Sequence, residues 1–266
     1  MKKYVVLFSF LITLMGMTEG HSQNALIIGH RGSSYTMPEN TVRSALKAWA
    51  EGADAVEIDV YPTSDGKIVV LHDNSTKRTT GEDFIVTETS SDILTSLDAG
   101  KWKGVEFEGE HLPLLSDMIE TIPRYKKLVV EVKSGPEIIP LLITLLTNHP
   151  KRSQIIFIAF GWDVITQLKE TFPDLPCFWL SAKKSDVESK WKEVISNDLD
   201  GINLQHRIVD QALIDKAHKD QLGVLCWTVD DMKEVNRLID IGIDGITTNR
   251  PGYVRENLLS EMDFDQ

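Results

Sequence analysis

Short, nearly continuous apolar runs recur along the chain, and between them apolar and polar residues alternate with helical spacing. The runs cover residues 25–29, 55–60, 128–132, 155–159, 177–180, 201–204, 223–228 and 245–248. Runs this short and this apolar predict strands buried on both faces, as parallel strands are. Within residues 41–51, Val42, Ala45, Leu46, Trp49 and Ala50 fall on one stripe of a 3.6-residue helix. Residues 137–147, 162–170, 185–195, 211–219 and 232–239 carry similar stripes. Eight strands alternating with helices predict an α/β protein, a closed (β/α)₈ TIM barrel. An open doubly wound sheet would place G-x-G-x-x-G after the first strand, and the sequence has none there.

One run, residues 68–72, breaks the alternation, because only a few residues around Asp65-Gly66 separate it from the second strand. A parallel crossover needs about a dozen residues or more. Asp-Gly between β-type runs predicts a two-residue hairpin turn. Counting outward from it pairs Thr63 with Ile68, Tyr61 with Val70 and Asp59 with His72. The stretch from about 73 to 113, ahead of a helix starting near Leu114, is too long for a simple connection. It predicts a small insertion after the second strand, lying over the barrel mouth.

The N-terminus adds a targeting signal. Lys2 and Lys3 precede an apolar run from Val5 to Met17, and small residues Thr18, Gly20 and Ser22 follow. This is the layout of a secretory signal peptide, expected over residues 1–22 with cleavage near 21–23. The expectation is an exported protein, periplasmic or secreted, with residues 23–266 as its barrel domain. No stable membrane association is expected after cleavage. Hydrophobic residues are 42% and charged residues 26% of the 266, which excludes a disordered or fibrous chain. The net charge of −12 speaks against nucleic-acid binding, so an anionic substrate would need local positive charge. The two cysteines, Cys177 and Cys226, fall on strands that are not neighbours and are expected to be free thiols.

Polar residues cluster where the strands end, and barrel active sites lie at the C-terminal strand ends. His30-Arg31-Gly32 closes the first strand. Glu57 and Asp59, two apart, point to one face of an otherwise apolar strand. Glu131 and Lys133 repeat that spacing on the third predicted strand. Buried carboxylates need compensation. Either a divalent cation bound by oxygen, Ca²⁺ or Mg²⁺, or an ion-pair network with Arg31 and Lys133 would supply it. His72-Asp73 returns on the hairpin, adding a second histidine suited to proton transfer near neutral pH. Trp227 is either core or an apolar wall for a small ligand.

Taken in order, Gly29-His30-Arg31-Gly32, Pro38-Glu39-Asn40-Thr41, Glu57-Ile58-Asp59-Val60, Asp65-Gly66 and His72-Asp73 resemble the glycerophosphodiester phosphodiesterase family. Arg78-Thr79-Thr80, Leu112-Pro113-Leu114, Glu131-Val132-Lys133, Trp227-Thr228-Val229 and Gly242-Ile243-Asp244-Gly245-Ile246 extend the resemblance over residues 25–255. It implies a (β/α)₈ barrel with an insertion after the second strand. It implies metal-dependent hydrolysis of a small phosphodiester, such as glycerophosphocholine or glycerophosphoethanolamine, to glycerol 3-phosphate and an alcohol. His30 and His72 would be general acid and base. Glu57, Asp59 and Glu131 would hold the divalent cation, Arg31 and Lys133 the phosphate, and Trp227 would face the glycerol. The chain departs from the family pattern at Ser75-Thr76, at Gly81, which comes one residue early, and at Asn249, where aspartate is common. A lipid-directed phospholipase-type diesterase, an exported phosphodiester-binding protein and a barrel glycosidase with paired carboxylates are the competing readings.

Overall fold

The computed structural model describes residues 25–264. Its strands are β1 (Leu26–His30), β2 (Ala55–Pro62), β3 (Ile68–Val70), β4 (Lys127–Val132), β5 (Ile155–Ala159), β6 (Cys177–Ser181), β7 (Gly201–Gln205), β8 (Gly223–Trp227) and β9 (Gly245–Thr248). All but β3 are parallel, in the order β1-β9-β8-β7-β6-β5-β4-β2, and β1 pairs with β2 to close the ring. This is the expected (β/α)₈ barrel. Ile28, Ala55, Val129, Ile156, Ile158, Leu180 and Leu225 fill its interior. The opposite strand faces pack against the surrounding helices in a second, larger core.

The helices are α1 (Val42–Ala50), α2 (Lys77–Thr80), α3 (Ser91–Ser96), α4 (Leu115–Thr121), α5 (Ile139–Leu146), α6 (Trp162–Thr171), α7 (Lys184–Ser196), α8 (Gln211–Lys219), α9 (Met232–Asp240) and α10 (Pro251–Phe264). Local chemistry sets several starts. Thr41 caps α1 by accepting from the Ser44 amide, Asp210 caps α8 through Leu213, and Asp231 caps α9 through Lys233 and Glu234. The apolar pattern alone did not mark α10, which begins at a proline suited to a first helical turn. Cys177 and Cys226 are buried free thiols on β6 and β8, with β7 between them.

The hairpin exists, but one residue out of the expected register. Val60 pairs with Val70, Tyr61 with Val69 and Pro62 with Ile68. The turn is three residues long: the Thr63 amide donates to the Lys67 carbonyl and the Gly66 amide donates to the Thr63 carbonyl. Gly66 takes φ +78°, the left-handed residue such a turn needs. The Thr63 hydroxyl also receives the Lys67 amide, which favours the longer turn. Asp59 therefore lies opposite Leu71, whose amide donates to the Asp59 carbonyl, and not opposite His72.

The insertion packs as a small unit of its own. Val86, Leu94, Leu97, Ala99 and Leu112 form an apolar cluster with Val69 and Leu71 of the hairpin. Asp65 of the turn accepts from the amide and hydroxyl of Ser91, anchoring the start of α3. The segment expected to be a signal peptide lies outside the described residues. Among the described residues, no helix is long and apolar enough to cross a membrane.

Candidate active site

The chain leaves β1 through a strained turn. Arg31 holds φ +53°, a conformation that costs of order 1–3 kcal/mol for a side-chain-bearing residue. That conformation directs its amide to Glu57 Oε2 at 3.0 Å, while its carbonyl accepts from Asn40 N and Ser44 Oγ. Gly32 follows at φ +87°, and a Cβ there would sit 2.3 Å from Ser44 Oγ. The glycine of the His-Arg-Gly motif is thus a packing requirement of the turn against α1. Asn40, also left-handed at φ +58°, grips Asp59 twice: Nδ2 donates to Oδ2 at 2.8 Å, and Oδ1 accepts the Asp59 amide at 3.2 Å.

Glu57, Asp59 and Glu131 come together, each offering an oxygen within 4.8 Å of the others. Arg31 Nε lies 3.3 Å from Asp59, and Lys133 Nζ lies 2.8 Å from Glu131 and 3.4 Å from Asp59. Burial, then the charges of Asp59 and Glu131, push the Glu57 carboxyl well above the usual carboxylate range. Burial and Asp59 raise Glu131 to about 6, against the pull of Lys133. Burial opposes the charges of Arg31 and Lys133, yet the facing carboxylates outweigh it and hold both above their ordinary values. Among the described residues, Glu57 Oε1 is buried without a hydrogen-bond partner. Metal–oxygen distances of about 2.0–2.6 Å separate two ligands on one ion by up to about 5 Å. The spacing, the all-oxygen donor set and the orphaned Oε1 therefore suit a hard divalent cation.

The two histidines are held by different partners. His30 Nδ1 is 2.7 Å from Asn249 Oδ1, and His30 Nε2 is 3.9 Å from Glu57. Burial first, and Arg31 next, hold His30 down to about 4, so its imidazole is neutral. His72 Nδ1 is 2.7 Å from Asp73 Oδ1. Asp73 also accepts from Arg78 Nε, and Arg78 reaches Glu39 through both terminal nitrogens. Glu39 in turn accepts from Arg31 at 2.8 Å. The insertion thereby ties the His72 end of the site to Arg31.

His30, Arg31, Glu57, His72, Glu131, Lys133 and Trp227 all line one cavity of about 140 Å³ at the barrel mouth. His72 reaches it despite the shifted register, because it lies beyond the end of β3, where strand alternation no longer applies. Asp59 is the expected site residue that does not line the cavity; at 1% exposure it stands behind the wall. Trp227 is both core and wall: it packs on the barrel-interior cluster, donates its indole N–H to the Asn203 carbonyl at 3.3 Å and meets Phe160 edge-on at 5.6 Å. The positioning roles of Asn40, Glu39, Asp73 and Arg78 were not assigned from sequence, although their motifs were visible. Asp230 carried no signal beyond following Trp227-Thr228-Val229.

Comparison with known proteins decides the family: residues 30–253 match the glycerophosphoryl diester phosphodiesterase family. The chain belongs to that family. A glycerophosphodiester phosphodiesterase of Caldanaerobacter subterraneus is 31% identical over 231 residues, covering 85% of this chain and 94% of the relative. One from Bacillus subtilis is 27% identical over 270 residues, covering 92% of each. A phosphodiesterase of Oleispira antarctica, solved with the product sn-glycerol-3-phosphate, superposes with a TM-score of 0.81 at 29% identity, covering 87% of this chain and 96% of that one. As a member of the glycerophosphoryl diester phosphodiesterase family the protein is an enzyme, a phosphodiester hydrolase, and the binding-protein and glycosidase readings fall away. Its departure at Asn249 keeps a carboxylate nearby. Asp230 accepts from Asn249 Nδ2 at 2.6 Å, from the Asn249 amide at 2.8 Å and from Thr248 Oγ1 at 2.9 Å. With Nδ2 committed to Asp230, Asn249 Oδ1 faces His30 as an acceptor. His30 Nδ1 then carries the proton, and Nε2 keeps a lone pair.

Proposed function

We propose that the protein hydrolyses glycerophosphodiesters, such as glycerophosphocholine or glycerophosphoethanolamine, to glycerol 3-phosphate and an alcohol, using two histidines and a divalent cation, Ca²⁺ or Mg²⁺. The observation that carries this is the joining of His30, His72, Arg31, Lys133, Glu57 and Glu131 in one cavity of a chain of this family. Glu57, Asp59 and Glu131 would hold the cation, which supplies Lewis-acid charge to a phosphoryl oxygen when bound. Arg31 and Lys133 bind the remaining phosphate charge and orient the diester. His30, neutral and with its Nε2 lone pair free, takes the proton from the attacking oxygen. His72, oriented at Nδ1 by Asp73, gives a proton to the leaving alcohol oxygen. Trp227 forms the apolar wall against which the glycerol carbons rest. The signal-like N-terminus supports export to the periplasm or the medium.

The test is steady-state hydrolysis of several glycerophosphodiesters, with chelation and add-back of Ca²⁺ or Mg²⁺, for the parent and for His30→Ala and His72→Ala. Losing one proton-transfer group should cost about 10²–10⁴-fold in kcat while circular dichroism stays unchanged. Full activity after exhaustive chelation refutes the cation. A folded histidine variant keeping more than about a tenth of the activity refutes that histidine's role.

A further inference from the structure

Between β6 and β8 the barrel interior carries one polar side chain among aliphatic ones. Asn203 of β7 aligns with Leu180 on β6 and with Leu225 on β8, two aliphatic residues of the barrel interior. Its side chain is therefore an amide flanked by two aliphatic ones. Asn203 is 1% exposed, and its Oδ1 is buried with no hydrogen-bond partner among the described residues. The Trp227 indole does not satisfy it, because that N–H goes to the Asn203 backbone carbonyl. An unmatched buried acceptor destabilises a fold, and an aliphatic side chain would fill the same place without that cost. The amide also lines the cavity, across from the charged wall, beside Trp227, Thr228 and Thr247.

The cavity thus has two walls. The β1, β2 and β4 side carries Arg31, Lys133 and the carboxylates, which suit phosphate. The β5 to β9 side presents Ile158, Leu180 and Trp227, and Asn203 is its fully buried amide. We infer that the Asn203 side-chain amide forms a hydrogen bond with a hydroxyl group of the substrate's glycerol moiety, and so selects diesters of polyols over alkyl or aryl diesters. The inference rests on the proposed glycerophosphodiester activity. A polyol hydroxyl gives the buried amide a partner, whereas a diester lacking one leaves it unpaired, which is how buried polar groups discriminate strongly.

The test is Asn203→Leu, which matches the neighbouring aliphatic side chains in size. Its kcat/KM is compared with the parent's on glycerophosphocholine and on bis(4-nitrophenyl) phosphate, which has no hydroxyl. The ratio of the two kcat/KM values should fall about 10- to 100-fold, and Tm should stay at or above the parent's. Should the leucine fail to pack, Asn203→Ala is read in the same way. An unchanged ratio in an active parent and folded variant overturns the role of Asn203 alone, as does an equal loss on both substrates. A parent that cleaves bis(4-nitrophenyl) phosphate but no glycerophosphodiester overturns the functional reading, and the inference falls with it.

Discussion

Removing the Asp230 carboxylate, as Asp230→Ala, should disable His30 without touching the cavity. Asp230 is not among the residues lining the pocket, but it holds the Asn249 amide in one of its two orientations. A hydrogen bond to a charged group contributes about 1.5–3 kcal/mol, enough to fix that orientation by about ten- to a hundredfold. Without it, the only side-chain contact besides His30 left to Asn249 Oδ1 among the described residues is the Ser34 hydroxyl at 2.9 Å, and a hydroxyl serves either orientation. Glu57 then decides the outcome. Its Oε2 lies 3.9 Å from His30 Nε2 and, as an acceptor, favours a proton on that nitrogen, while the flipped amide donates to Nδ1. His30 Nε2 would lose its lone pair, so kcat should fall about 10- to 100-fold with KM little changed. The variant also strips an acceptor from the buried Thr248 hydroxyl and the Asn249 amide, costing about 1–3 kcal/mol and a Tm drop of several degrees. Nitrogen-15 NMR of the labelled histidine separates the two effects, because the protonated nitrogen moves from Nδ1 to Nε2. A folded variant that keeps more than half of kcat, or an Nδ1 that stays protonated, refutes the reasoning.

Metal binding should stabilise the protein more at pH 7.5 than at pH 5. Glu131, at about 6 when folded against 4.5 when unfolded, holds its proton more tightly in the fold, so stability of the metal-free protein falls as pH rises across that window, by about 2 kcal/mol; Glu57 shifts in the same direction. A cation needs both carboxylates ionised and removes the penalty, so thermal melts with and without EDTA should show the larger Tm gain at the higher pH, and an equal or larger gain at pH 5 contradicts it. N-terminal sequencing of the native protein should begin near residue 21–23; a chain beginning at Met1, or recovered only in membranes, refutes export.

The barrel was legible because each parallel strand is an apolar run buried on both faces, from residues 25–29 to 245–248, and its helices show single stripes. The hairpin register was not, because Asp65-Gly66 signals a two-residue turn, while the Thr63 hydroxyl closes a three-residue one. One residue of slip was enough to move Leu71 opposite Asp59. The interior of the insertion was equally opaque, since its small core forms only when Val86, Leu94 and Leu112 meet Val69 and Leu71. The groups expected to do chemistry were readable as types at strand ends. The residues that aim them were not: Asn40 to Asp59 spans 19 positions, and His30 to Asn249 spans 219. Asn203 did leave a trace, as the one amide within the apolar run at 201–204.

The acidic chain raises the question of how it receives an anionic diester, and the site's own charges supply the answer. Five carboxylates, Glu39, Glu57, Asp59, Asp73 and Glu131, meet three basic side chains, Arg31, Arg78 and Lys133. Arg78 is shared between Glu39 and Asp73, and Arg31 between Glu39 and Asp59, so neither is free to neutralise a further anion outright. The excess is two negative charges, the charge of one divalent cation. Without the proposed cation, ionised carboxylates would repel phosphate, and burial pushes Glu57 and Glu131 towards protonation. With it, the carboxylates would be neutralised, leaving Arg31 and Lys133 to act on the diester. On the proposed metal dependence, the residues that make the metal-free site costly to fold would also make the loaded site attractive to its substrate, so metal affinity and substrate affinity should rise and fall together across Glu57, Asp59 and Glu131 substitutions.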